Sequence, residues 1–101
     1  MKDQHKLIKG YRELSQEEID LMNRIKTKGG ELLALQAELA RVLRDQAVQK
    51  MDAVDNGLPG AKEELQRFSD AEPMRWSSMG RTDIQTGVMA LVRAVAQPEQ
   101  C

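Results

Sequence analysis

At 101 residues the chain is one domain's worth of material, with 15 Lys and Arg against 16 Asp and Glu; so even a balance offers no broad positive field for long nucleic acid, and so short a chain builds a limited core. Apolar residues make up 41% but aromatics only 3%, namely Tyr11, Phe68 and Trp76, a composition that suits packed helices rather than a β-sandwich. No apolar run approaches the roughly 20 residues that cross a bilayer, the charged N-terminus lacks the apolar segment of a signal peptide, and the single cysteine, Cys101, makes no internal disulfide and no metal-ligand cluster, so the expectation is an all-α cytosolic protein without cofactor, metal or membrane contact.

Residues 1–14 carry Lys2, Lys6, Lys9 and Arg12 against Asp3 and Glu13, with no helical apolar stripe, and read as a basic arm. Ser15-Gln16-Glu17-Glu18 is a capping box, flanked by Leu14 and Ile19 at the two positions of a hydrophobic staple. A first helix is predicted over 15–55. Ile19, Met22 and Ile25 keep helical spacing, followed by Leu32, Leu35, Leu39 and Val42, with a second row at Leu33, Leu43 and Met51. Gly29-Gly30 interrupts this pattern at a cost of about 2 kcal/mol against alanine, which marks a kink or a close approach of another backbone.

Asn56-Gly57-Leu58-Pro59-Gly60 is a dense turn signal, and the connection predicted over 56–69 holds a short helical segment, Ala61 to Phe68. Ser69-Asp70-Ala71-Glu72 repeats the capping-box pattern with Pro73 in the first turn, which predicts a last helix over 70–97. Its stripe is Ile84, Val88, Leu91 and Val95, widened by Met89 and Val92, and Pro98 ends it. The fold class expected is a helical hairpin of two long helices with a short helical connection. Both long helices have apolar faces wider than one partner covers, so the chain is expected to assemble as a homo-oligomer.

Catalysis finds little footing. The one histidine, His5, lies in the arm, and Glu17, Glu18 and Asp20 are accounted for by capping and the helix dipole. Two clusters suit a small anion better. Gly10-Tyr11-Arg12 precedes the capped helix, and Arg24, Lys26 and Lys28 lie beside the double glycine. A tyrosine stacks on a base for roughly 1 to 3 kcal/mol and a lysine hydrogen bond to a charged group contributes about 1.5 to 3. On the last helix Arg75, Ser78 and Thr82 share a face, with Arg81 one step away and Trp76 and Met79 nearby as candidate core. For both clusters the alternative is a solvated charged face.

The run from His5 to Ser15, the segment Glu18-Ile19-Asp20-Leu21-Met22-Asn23 and the run from Arg81 to Pro98 resemble the phage anti-CBASS cyclic-nucleotide sponges. The resemblance covers about two thirds of the chain and leaves out the middle, 33–69. It implies a hexamer that captures cyclic dinucleotides between subunits without cleaving them, in the cytoplasm of an infected bacterium, and so starves CBASS effectors of their activator. It also implies a second pocket type for cyclic trinucleotides. By this carry-over Tyr11 and Lys26, with Gly10 and Arg12 beside them, belong to the dinucleotide site, and Arg75, Arg81 and Thr82 to the trinucleotide site.

Elementary energetics are compatible with that mechanism. Two copies of a Tyr and Lys pair supply about 5 to 12 kcal/mol gross, where a nanomolar complex needs about 12 net of ordering costs. One copy is too weak. The alternative function is a helical protein-binding adaptor; a helix-turn-helix regulator is disfavoured because the final helix is too apolar and too evenly charged for a recognition helix.

Overall fold

The computed structural model describes residues 12–99. The chain is all-α: α1 (Gln16–Asp55), α2 (Ala61–Ala71) and α3 (Pro73–Ala96), with no strand among the described residues. The capping box forms as expected, the Ser15 hydroxyl accepting from the Glu18 amide at 3.1 Å and the Glu18 carboxylate from the Ser15 amide at 2.9 Å. Two of the orphan amides at the start of α1 are thereby satisfied. Leu14 is half-buried, whereas Ile19, the other half of the expected staple, stays 39% exposed.

α1 ends at Asp55 because Gly57 turns the chain at φ 69, its amide donating back to the Val54 carbonyl and the Leu58 amide to Ala53. Gly60, at φ 74, then sets the start of α2. Here the structure departs from the sequence reading. The Ser69 box does not form; Ser69 lies inside α2, which runs on to Ala71, and the amide of Glu72 donates to the Ser69 carbonyl as a C-terminal cap. Glu72 adopts left-handed backbone angles (φ 50, ψ 51). A residue before proline is pushed out of the right-handed helical region, so the break falls at Glu72 and Pro73 becomes the first residue of α3. The other end is as expected: Gln97 turns left-handed at φ 48 and Pro98 follows.

The chain divides into two compact units. In the first, residues 12–32 and 83–99, α1 and α3 run antiparallel and Gly29 of α1, which is buried, faces Val88 of α3. A Cβ on Gly29 would lie 2.4 Å from Cγ2 of Val88. Of the two readings offered for the glycine pair, close approach is the one observed, and α1 continues through it as helix. Gly30 has nothing within 4 Å of the corresponding position.

The second unit, residues 33–82, holds the buried apolar side chains found among the described residues, Phe68 (6% exposed) and Ala61 (8%). Lys50 stands 5.4 Å from the centre of the Phe68 ring and pairs with Glu64 at 3.0 Å, and Arg67 grips the same carboxylate at 2.7 and 2.8 Å. Elsewhere in the unit Gln36 donates to the buried Ser77 hydroxyl at 3.0 Å and accepts from Arg81 at 3.3 Å. Trp76, expected near the core, is 59% exposed, with the Arg75 guanidinium 5.7 Å from its ring. The row Leu32, Leu35, Leu39 and Val42 is exposed along its whole length.

Candidate ligand-binding site

Tyr11 and Gly10 lie outside the described residues; the structure begins with their neighbour, Arg12. Its guanidinium makes four hydrogen bonds. Nη2 donates to Glu18 Oε2 at 2.6 Å and to the Val95 carbonyl at 2.7 Å, Nη1 faces Glu18 Oε1 at 3.4 Å, and Nε donates to the Ala96 carbonyl at 3.2 Å. The carbonyls belong to the last turn of α3, where they lack helical partners and where the helix dipole favours a cation. Both partners of the ion pair are about two-thirds shielded, at 35% and 32% exposure. Arg12 foremost, then the Ser15 amide, draws the Glu18 carboxyl down from its ordinary 4.5 to about 2.

Lys26 is an exposed cation on α1 with no hydrogen bond or ion pair among the described residues. Nearby, Leu21, Ile25, Leu32, Ile84, Val88 and Leu91 form an open groove of about 440 Å³, with Arg24 and Lys28 at its rim. Helical register puts Lys26 about 100° around α1 from Ile25, off this groove. Of the basic trio marked in the sequence, the structure gathers Arg24 and Lys28 and sets Lys26 apart. Lys28 also stands 3.5 Å from Glu31. The groove was missed in the sequence, although the spacing of Leu21, Ile25, Lys28 and Leu32 by fours and threes is the signal that carries it. Its apolar floor suits another apolar helix face better than a nucleotide.

The α3 residues fall in the second unit. Arg75 and Thr82, seven residues apart, share a face about 10 Å apart along the axis. Arg75 is exposed and pairs with Glu72 at 3.3 Å, and Thr82 donates to the Ser78 carbonyl at 3.3 Å. Arg81 is turned about 100° from Thr82 onto Gln36. A single chain thus brings Arg75 and Thr82 together and leaves Arg81 on a different face. Among the described residues no group of three or more His, Cys, Asp or Glu could hold a metal, and no helix is long and apolar enough to cross a membrane.

Comparison with known proteins gives this arrangement a context. The sequence pattern of the Acb2/Tad1 hairpin domain matches residues 3–96. Over 108 aligned residues covering the whole of both chains, the sequence is 56% identical to Anti-CBASS protein 2 of Pseudomonas phage JBD67. The alignment includes the middle stretch in which no resemblance had been found. A three-helix chain whose Arg12 is clasped to the end of its last helix, with this pattern along nearly all of its length, belongs to the Acb2/Tad1 hairpin-domain family.

Proposed function

We propose that this chain counters CBASS immunity in the cytoplasm of an infected bacterium by binding cyclic oligonucleotide signals and withholding them, uncleaved, from the effectors they activate. The observation that carries this reading is the full-length, 56% identity to a phage protein named for anti-CBASS action. The ligands are cyclic dinucleotides, held by Tyr11 and Lys26 with Gly10 and Arg12 beside them, and cyclic trinucleotides, held by Arg75, Arg81 and Thr82. Two features of the described residues support it. Lys26 is an unengaged cation, and an ammonium that has no carboxylate to leave is available to a phosphate without first breaking a pair. The exposed rows Leu32, Leu35, Leu39, Val42 and Leu91 favour a homo-oligomer, a hexamer by the family resemblance. In such an assembly Arg81 of one copy and Arg75 with Thr82 of another meet one ligand from different faces.

Calorimetry with a panel of cyclic dinucleotides and trinucleotides tests the reading, with ligand recovered afterwards by proteolysis. The expected result is tight dinucleotide binding that Tyr11→Ala or Lys26→Ala each weakens at least tenfold, with the unfolding midpoint unchanged and the ligand released intact. Linear products would establish an enzyme instead. The same exposed rows also suit the adaptor reading; heat with none of the panel, together with a monodisperse monomer in light scattering, would favour it.

A further inference from the structure

We infer that Gln36 is a positioning residue of the trinucleotide site: anchored on Ser77, its side-chain amide holds the Arg81 guanidinium ready for the ligand without cancelling its charge. The inference rests on the reading that puts Arg81 in that site. Every contact it uses lies among the described residues of the unit 33–82.

Ser77 and Arg81 stand four residues apart on α3 and so share a face, and Gln36, on α1, bridges them. Its Nε2 donates to the Ser77 hydroxyl at 3.0 Å and to the Ser77 carbonyl at 3.3 Å. A carbonyl can only accept, so this contact settles which end of the amide is the nitrogen, and Oε1 is the atom left to accept from Arg81 Nη1 at 3.3 Å. Ser77 is buried, Gln36 half-buried and Arg81 exposed. The amide thus ties a solvent-facing cation to a buried point on α3. Arg12, Arg67 and Arg75 each face a carboxylate. Arg81 forms no ion pair among the described residues, and there its side chain bonds only to a neutral amide. Its remaining N–H groups, and its whole charge, are available to a phosphate. An arginine left loose gives up rotamer freedom when it meets a ligand, and ordering one such side chain takes about two- to twelvefold from affinity. The Gln36 bond meets part of that cost during folding. A carboxylate in its place would also fix the side chain, but the arriving phosphate would have to displace it or be repelled by it.

The test compares Gln36→Met, which keeps the shape and loses the amide, Gln36→Glu, Arg81→Ala and Arg81→Lys with the unaltered chain. Each is titrated calorimetrically with a cyclic trinucleotide and, as a control, a cyclic dinucleotide, and its unfolding midpoint is recorded. Gln36→Met should weaken trinucleotide binding about fivefold and leave dinucleotide binding unchanged. Gln36→Glu, which sets a carboxylate against Arg81, should weaken it further and flatten its salt dependence. Arg81→Lys keeps a charge, and so measurable binding, but lacks the planar fork. In that background Gln36→Met should cost less than about twofold, because the amide acts through the arginine. A fivefold cost that persists there means that Gln36 meets the ligand itself, and the inference is overturned. Trinucleotide binding left intact by Gln36→Met or by Gln36→Glu overturns it, as does loss of both ligand classes together with a lowered midpoint, which is the mark of a stability device. The reading of the site fails separately: an unaltered chain that binds no trinucleotide, or Arg81→Ala binding as tightly as the unaltered chain, defeats that reading and this inference with it.

Discussion

Between α1 and α3 in the unit 12–32 with 83–99, the buried residue is a glycine, Gly29, set against Val88, and Arg12 makes its polar contacts at the helix ends. In the unit 33–82 the largest buried side chain is a phenyl ring, Phe68, and an ion cluster of Lys50, Glu64 and Arg67 stands against it. The first unit removes side-chain bulk so that backbones can approach; the second inserts bulk and shields it with long charged side chains. The difference teaches where each can be broken. A tight helix–helix contact fails when volume is added, and a ring-centred one when volume is removed.

The largest expected effect is in the second unit. Phe68→Ala should cost about 3 to 5 kcal/mol, the range for emptying a buried aromatic position, read as a fall in the denaturant midpoint. A loss under about 1 kcal/mol would mean that this ring matters little and that contacts between copies supply the core there. In the first unit Gly29→Ala places a methyl group 2.4 Å from a Val88 methyl. Valine is stiff at χ1 and cannot swing clear, so overpacking of about 1 to 3 kcal/mol outweighs the roughly 1 kcal/mol that alanine gains in a helix. Val88→Ala in the same background should recover most of it. Gly30→Ala meets nothing and should stabilise by up to about 1 kcal/mol. If it instead disrupts assembly, the second glycine admits a neighbouring copy.

These two glycines also show how far the sequence could be read. Their pairing on α1 announced either a kink or an approach, but only the position of Val88 decides which, and that is a long-range fact. The Ser15 box and the turn at Gly57 and Gly60 were legible because each is settled by chemistry within four residues. Ser69 was misread for the same reason in reverse: Ser-x-x-Glu is satisfied locally, yet Pro73 moves the break to Glu72, and the serine is carried into α2. For the site, the basic residues were legible as residue types and their grouping was not. Arg12 could be marked as a cation beside Tyr11, whereas its hold on Val95 and Ala96 spans 83 and 84 residues of sequence. Arg81 was placed beside Thr82 by number and turns instead to Gln36, on α1.

The smallest effect expected is on acid stability, and it separates the two ionic devices. Glu18 and Glu64 both titrate at about 2 in the folded chain against an ordinary 4.5, Glu18 through Arg12 and the Ser15 amide, Glu64 through Arg67 and then Lys50. A carboxyl whose pKa falls on folding stabilises the fold fully above its unfolded pKa, and that contribution is lost as pH drops through the window from about 4.5 to about 2. Glutamine mimics the protonated group. Glu18→Gln and Glu64→Gln should therefore melt below the unaltered chain at neutral pH, and the gap should close as pH falls from 4.5 towards 2. The Glu18 gap should be the wider, because the Glu18 carboxylate is the more shielded of the two, 32% exposed against 42% for Glu64, and of the two partners of Glu64 only Lys50, at 22%, is shielded, Arg67 being 63% exposed. A gap that persists at pH 2 would mean that packing of the longer side chain, not its charge, holds that unit together.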